Sequence, residues 1–157
     1  MMEIERKFLI TEYEKNKLAL NTLQSYRLIQ YYVQVGDVEE RFRMQDDICF
    51  HTVKRKGDGG LQREETESVC SANDFEVNKH SRIGNIIEKT RYILPYGKYK
   101  IEIDVFSGAL DGLIVGEVEF PTLDEANLFI PPDFFGVEVT MNKEYKNQSL
   151  AVNGIPT

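Results

Sequence analysis

The chain has 157 residues, with 19 Lys and Arg against 26 Asp and Glu, a net charge of −7. The length suits one domain over 1–157, the 41% apolar content is enough for a core, and nine Phe and eight Tyr argue against a disordered chain. The acid surplus speaks against non-specific nucleic-acid binding, no stretch approaches the roughly 20 apolar residues of a membrane span, and the charged start MMEIERKF lacks a secretory core, so the expected setting is the cytoplasm.

Alternation of apolar and polar residues predicts strands at 2–9, 26–35, 38–45, 48–55 and 61–69. Further strands are predicted at 86–94, 98–106, 113–120 and 136–140. Gly57-Asp58-Gly59-Gly60 predicts a hairpin turn, because glycine supplies the positive φ that such turns need, and Pro95-Tyr96-Gly97 predicts another. Thr11-x-x-Glu14, Ser71-x-x-Asp74 and Thr122-x-x-Glu125 have the capping-box spacing and predict short helices over 12–20, 72–82 and 123–129. Pro131-Pro132 stops the last of these, and no repeat or linker marks a second domain. The expected class is α+β, mainly β.

Cysteine and histidine usage removes several chemistries. Cys49 and Cys70 have no Cys-x-x-Cys spacing and are read as packing residues rather than nucleophiles, a zinc ribbon or a dithiol site. His51 and His80 are the only histidines, so a three-His metal site is excluded and any metal should be a hard cation on oxygen ligands, Mg²⁺, Mn²⁺ or Ca²⁺.

Successive side chains of a strand point to opposite faces. Sorted this way, one face carries Glu3, Glu5 and Lys7, Arg41 and Arg43, Lys54 and Lys56, and Arg63, Glu65 and Glu67. It continues with Lys89 and Arg91, Glu102 and Asp104, and Glu117 and Glu119. The opposite face is apolar, from Ile4 and Phe8 to Val118 and Phe120, with Arg6 and Arg55 as exceptions. The ordinary arrangement is a sheet whose charged face is solvated, where ion pairs contribute only about 0.2–1 kcal/mol each. The alternative closes about eight strands into a barrel with the charges inside and the helices outside. A lumen of both signs is costly unless ions and ligands neutralise it, so its natural guest is a polyanion chelated by Mg²⁺, such as a triphosphate. Glu3 with Glu5, and Glu117 with Glu119, each stand within about 7 Å on one face and offer paired carboxylates to a divalent cation. Arg41 and Arg43 offer forks that match phosphate oxygens, with Lys7 and Lys54 as point charges. No P-loop motif is present.

EIERKFL at 3–9 resembles the Glu-x-Glu-x-Lys signature of the CYTH, or triphosphate tunnel metalloenzyme, superfamily. ERFRM, TVKRKGDGGLQREETE, IIEKTRY, IEIDVFSG, GEVEF, FIPPDFFG and EVTMNKEYKN follow in the family's order, so the resemblance spans nearly the whole chain. It is nearest to the small single-domain bacterial branch, whose members are often inorganic triphosphatases. The resemblance implies a closed eight-stranded antiparallel barrel, a tunnel with a polar charged lumen flanked by short helices. It implies that Glu3, Glu5, Asp104, Glu117 and Glu119 coordinate Mg²⁺ or Mn²⁺, and that Lys7, Arg41, Arg43, Lys54, Arg63, Lys89 and Arg91 grip a small-molecule triphosphate. It further implies that Glu65 and Glu67 help with metal or water and that Tyr32 stands where relatives carry a proposed proton acceptor. A tyrosine would need a strongly lowered pKa for that, starting from about 10. Asn142 and Glu144 depart from the family's C-terminal pattern while Lys143 and Tyr145 keep it, and the basic residue of the central helix is Lys79 or Arg82. Adenylate cyclisation, or thiamine or nucleoside triphosphate hydrolysis, would use the same tunnel, and a non-catalytic polyphosphate-binding module is the reading outside enzymes. The sequence leaves open whether the chain works alone or as a homodimer.

Overall fold

A computed structural model describes residues 3–56 and 63–157, with the side chains of Lys56 and Arg63 left out. The predicted turn at 57–60, Met2 of the first predicted strand, and the first two residues of the strand at 61–69 lie outside the described residues. Eight antiparallel strands form one sheet: β1 (Ile4–Leu9), β2 (Gln24–Gln34), β3 (Val38–Gln45), β4 (Ile48–Lys56), β5 (Arg63–Cys70), β6 (Ile83–Tyr96), β7 (Tyr99–Ser107) and β8 (Ile114–Phe120). Their order is β1-β8-β7-β6-β2-β3-β4-β5, so β1 and β5 are the two ends of the sheet and no hydrogen-bonded ladder joins them among the described residues. The sheet curls so far that all eight strands face one cavity, but among the described residues no backbone pairing closes the seam.

The helices are short. α1 is one turn, Glu12–Lys15, capped by the Thr11 hydroxyl accepting from Glu14 N at 3.2 Å. It buries no side chain, which is why the helix predicted to 20 stops early and gives way to a 3-10 turn at Leu20–Thr22. α2 (Ala72–Asn78) carries the full capping box of Ser71 with Asp74, and α3 (Leu123–Leu128) is capped by Thr122. α4 (Asn147–Asn153) was not foreseen; no side chain caps its start.

Three apolar clusters hold these layers together. On the outer face, Tyr31, Phe42, Cys49 and Phe75 pack α2 onto β2, β3 and β4. A second outer cluster, with Ile101, Ile103, Val118 and Phe120, receives Ala126 of α3 and the aromatics Phe129, Phe134 and Phe135. Gly116 is required there, because a Cβ at this position would collide with the Phe135 ring. The third cluster faces inward: Tyr32, Ile87, Phe106, Leu110, Leu113 and Val115 fill one end of the lumen against Leu150 and Ala151 of α4. Gly84 lets α4 sit so close, since its φ of +76° and the adjacent Ala151 carbonyl leave no room for a side chain.

Two features depart from the sequence reading. Cys49 and Cys70 stand opposite each other across β4 and β5 and form a disulfide, Cα atoms 5.1 Å apart; the register that pairs them is invisible in their 21-residue separation. The predicted strand at 136–140 is reduced to a single bridge, Phe8 to Glu138, yet it shields the outer edge of β1. Leu9 N donates to Val137 O at 2.8 Å and Val139 N to Lys7 O at 2.8 Å. Arg6, an exception to the alternation, explains itself here. Its guanidinium forks onto Glu138 at 2.7 and 2.9 Å and donates to the carbonyls of Ala126 and Phe129 at 2.9 and 3.0 Å.

Arg6→Ala should therefore loosen the whole 126–140 cover and lower stability by about 2–3 kcal/mol, read from a urea midpoint, with Arg6→Lys recovering only part. A loss under about 0.5 kcal/mol would mean that the stacking of Phe8 on Phe135 holds the segment by itself.

Candidate functional site: a cavity lined by both signs of charge

The curled sheet encloses a cavity of about 530 Å³. Glu3, Glu5 and Lys7 enter it from β1, and Glu117 and Glu119 from the neighbouring β8, where the register sets Glu5 against Glu119 and Lys7 against Glu117. Arg41 and Arg43 of β3, Lys54 of β4, Arg91 of β6, and Glu65 and Glu67 of β5 complete the predicted lining, with Tyr32 of β2 at the end nearest α4.

The acidic side is crowded. Burial first, then a hydrogen bond with Glu117 and the negative charge of Glu117, push the Glu5 carboxyl up to about 8. Glu117 goes the other way, its burial outweighed by the hydrogen bond from Glu5 and the charge of Lys7, so the two carboxyls share one proton. Glu119 is raised by burial and by Glu3 and Glu117. Lys7 stands 3.9 Å from Glu117 and donates to the Tyr145 carbonyl at 3.2 Å, which ties β1 to the segment before α4.

The basic side has its own structure. Arg41 lines the cavity at 8% exposure, and its buried Nε has no hydrogen-bond partner among the described residues, which leaves a charged donor uncompensated at this wall. Burial and the charges of Arg41 and Arg91 push Arg43 down to about 10, still fully charged at neutral pH. Its Nε donates to Gln30 Oε1 at 2.9 Å, and Gln30 Nε2 donates to the Tyr32 hydroxyl at 3.3 Å.

Asp104 and Lys89 lie on the expected face and deeper than the residues that line the cavity, 6% and 0% exposed, where alternation fixes the face and not the depth. Asp104 accepts from Arg91 Nε at 2.8 Å and Nη2 at 3.0 Å, and Lys89 Nζ lies 2.9 Å away as an ion contact. Burial opposes ionisation of Asp104, but Lys89 and Arg91 outweigh it and hold the carboxyl far below the usual range. Lys89 is pushed down to about 8, chiefly by burial. Burial also opposes the charge of Arg91, which Asp104 and then Glu102, at 2.7 Å, more than restore. The side chain of Arg63 lies outside the described residues. Lys79 pairs with Glu76 at 3.0 Å, Arg82 donates to the Lys79 carbonyl, and neither lines the cavity. His51 pairs with Glu40 at 2.8 Å, also away from the cavity.

Other wall residues had no assigned role. Glu102 was placed on the charged face without one, Glu39 alternates onto the same face and was recoverable, and Lys146, Asn147 and Gln148 arrive from the unforeseen α4 region. Gln148 accepts from Gly36 N at 3.2 Å, fixing that region to the β2–β3 turn. As to a metal, the available donors are carboxylate oxygens, the hard ligands that Mg²⁺ and Mn²⁺ take, and Glu3, Glu5, Glu117 and Glu119 on adjacent strands are the groups that could hold one. Among the described residues no three such groups already stand at metal-ligand spacing, so substrate oxygens and water would complete the shell.

A curled antiparallel sheet whose concave face gathers acids and bases into one pocket defines a class of small β proteins with a doubly charged lumen. No protein-family model matches the chain. Over 155 residues it is 41% identical to an inorganic triphosphatase of Nitrosomonas europaea, covering 98% of this chain and 99% of that one. Over 152 residues it is 32% identical to an inorganic triphosphatase of Acetivibrio thermocellus, covering 96% and 94%. A crystal structure of an inorganic triphosphatase superposes with a TM-score of 0.75 at 36% identity, covering 100% of this chain and 98% of that one. The chain belongs to the CYTH, or triphosphate tunnel metalloenzyme, superfamily.

Asp104→Asn removes the counter-charge of a buried lysine and should destabilise the fold by about 3–5 kcal/mol. Because folding lowers the Asp104 pKa, the wild type holds this advantage above the unfolded value of about 4 and loses it as pH falls further. Denaturant melts of both proteins at pH 7 and pH 3 should therefore show a gap that narrows in acid without closing, because the folded carboxyl is still ionised at pH 3. A gap unchanged between the two pH values would place the loss in packing rather than charge.

Proposed function

We propose that the chain is an inorganic triphosphatase of the cytoplasm, a Mg²⁺- or Mn²⁺-dependent hydrolase that cleaves tripolyphosphate to pyrophosphate and phosphate. The observation that carries this reading is the separation of charge within one cavity of about 530 Å³: paired glutamates on β1 and β8, arginines and lysines on β3, β4 and β6. The similarity to proteins named inorganic triphosphatase over nearly the whole chain supports it.

In this reading Arg41, Arg43, Lys54, Lys7 and Arg91 take the phosphate oxygens, with the unpartnered Arg41 Nε as a preformed donor. Glu3, Glu5, Glu117 and Glu119 would hold the metal, which supplies charge neutralisation at the transferred phosphoryl group. Glu65 and Glu67 reach the cavity from β5 and orient the attacking water. The water oxygen forms a bond to a terminal phosphorus as the bridging P–O bond breaks in line, and pyrophosphate leaves with that oxygen. Asp104 and Lys89 stand behind Arg91, where Asp104 pairs with both bases and would bring a further carboxylate to the metal side and Lys89 a further charge to the phosphates. The closed tunnel implied by the family resemblance belongs to the same proposal, with β5 and β1 flanking the seam and 1–157 acting as one domain.

The test is release of phosphate from tripolyphosphate, ATP and thiamine triphosphate in parallel, with and without Mg²⁺ or Mn²⁺. Metal-dependent cleavage of tripolyphosphate well above the other two is expected, with Glu5→Gln and Glu117→Gln each losing roughly 10²-fold or more in kcat while far-UV CD is unchanged. Formation of cyclic AMP and pyrophosphate from ATP would replace the proposal with a cyclase. Bound but uncleaved tripolyphosphate would replace it with a binding module.

A further inference from the structure

The Tyr32 hydroxyl is held in a way that decides which direction its proton points. Tyr32 lines the cavity although it is 1% exposed, at the end closed by the cluster around Leu150. Beside it lies Gln30, 0% exposed, a fully buried amide that lines no cavity and touches no ligand position. Arg43 approaches that amide with Nε–H, and a guanidinium only donates, so the amide oxygen must face Arg43. The amide nitrogen is thereby turned to Tyr32 and donates to its oxygen at 3.3 Å. The Arg41 guanidinium, which can only donate, lies near the same oxygen and offers it no acceptor. A phenol oxygen that accepts from the amide still has its O–H to offer, and the side without a protein partner among the described residues is the cavity.

We infer that Tyr32 donates a hydrogen bond to a phosphate oxygen of the bound triphosphate, and that Gln30 is the positioning residue that aims it, through an amide itself oriented by Arg43. This rests on the triphosphate reading of the cavity and changes one part of it: the tyrosine is a binding group that keeps its proton, not the acceptor of a proton from water. Burial raises the phenol pKa despite the nearby arginines, which agrees with a hydroxyl that stays protonated throughout the neutral range.

The geometry generates a sharp variant. Gln30→Glu preserves size and gives Arg43 a better acceptor, but its second oxygen cannot donate to Tyr32. It accepts the phenol O–H instead and turns the proton away from the cavity. The experiment is calorimetric binding of tripolyphosphate to the metal-free protein, which does not depend on turnover. Tyr32→Phe should weaken binding about tenfold, since it removes one hydrogen bond to a charged group. Gln30→Glu should weaken it by at least as much. Adding Tyr32→Phe to Gln30→Glu should then cost less than twofold more, because the hydroxyl no longer faces the ligand. If the second substitution still costs its full tenfold, Gln30→Glu acts only through its charge and the positioning role is wrong. Gln30→Met carries the same cycle if the glutamate variant fails to fold: it leaves the phenol free to rotate, so Tyr32→Phe should keep no more than half of its effect.

The pH dependence separates donor from acceptor. With a donor, the ratio of wild-type to Tyr32→Phe kcat/KM stays constant from about pH 6 to pH 9; with a proton acceptor it climbs with pH. A climbing ratio would overturn the inference. Wild-type protein that does not bind tripolyphosphate would overturn the triphosphate reading itself, whereas binding unchanged by Tyr32→Phe would sink this inference alone.

Discussion

Charges of both signs buried on the concave face of one sheet are the constraint on which the rest of this molecule depends. Taking such groups out of water costs several kcal/mol each unless partners compensate, so every charge without a role toward a ligand must be neutralised by another. The cluster of Asp104 with Arg91 and Lys89 does this at depth, and Glu102 completes the surroundings of Arg91. Lys7 and Glu117 do it across β1 and β8. Compensation is incomplete in two places: Glu5 and Glu117 crowd each other on one side, and Arg41 Nε has no partner among the described residues on the other. The site is the part of the lumen where internal compensation stops.

That constraint also orders the outside. With the concave face given to charge, apolar burial must be found on the convex face and at one end of the lumen. The outer face is covered by α2, by α3 and by the aromatic segment that follows α3, and the end is filled by Leu150 and Ala151. The short helices are thus covers rather than independent elements. α1, with nothing to cover, barely forms.

The amino-acid pattern made much of this legible because a strand's period of two is rigid. Knowing that Glu3, Glu5 and Lys7 share a face with Arg41 and Arg43 needed only parity, and so did the exceptional direction of Arg6. Depth along the lumen was not legible: nothing in the alternation shows that Asp104 and Lys89 lie nearly buried and paired with each other beneath the cavity wall. Strand register was not legible either, and it hid the facing pair Cys49 and Cys70. The wall contributed by Lys146, Asn147 and Gln148 escaped because α4 has no capping side chain to announce it. Gln30 escaped for a different reason: an uncharged amide in a strand carries no signal until the donor on one side of it and the acceptor on the other are known.

The order of strands has a consequence for when the molecule acquires its chemistry. Most of the basic wall comes from hairpin neighbours, β3 with β4, and forms from local contacts. The acidic wall pairs β1 with β8, and Glu5 must meet Glu117 from more than a hundred residues away along the chain. Contacts of that separation form late, because the loop they close is entropically costly until the intervening strands are in place. A chain emerging from the ribosome therefore carries Arg41, Arg43 and Lys54 long before it can assemble the carboxylate pair. Any chemistry that needs both walls waits until the last strand has docked.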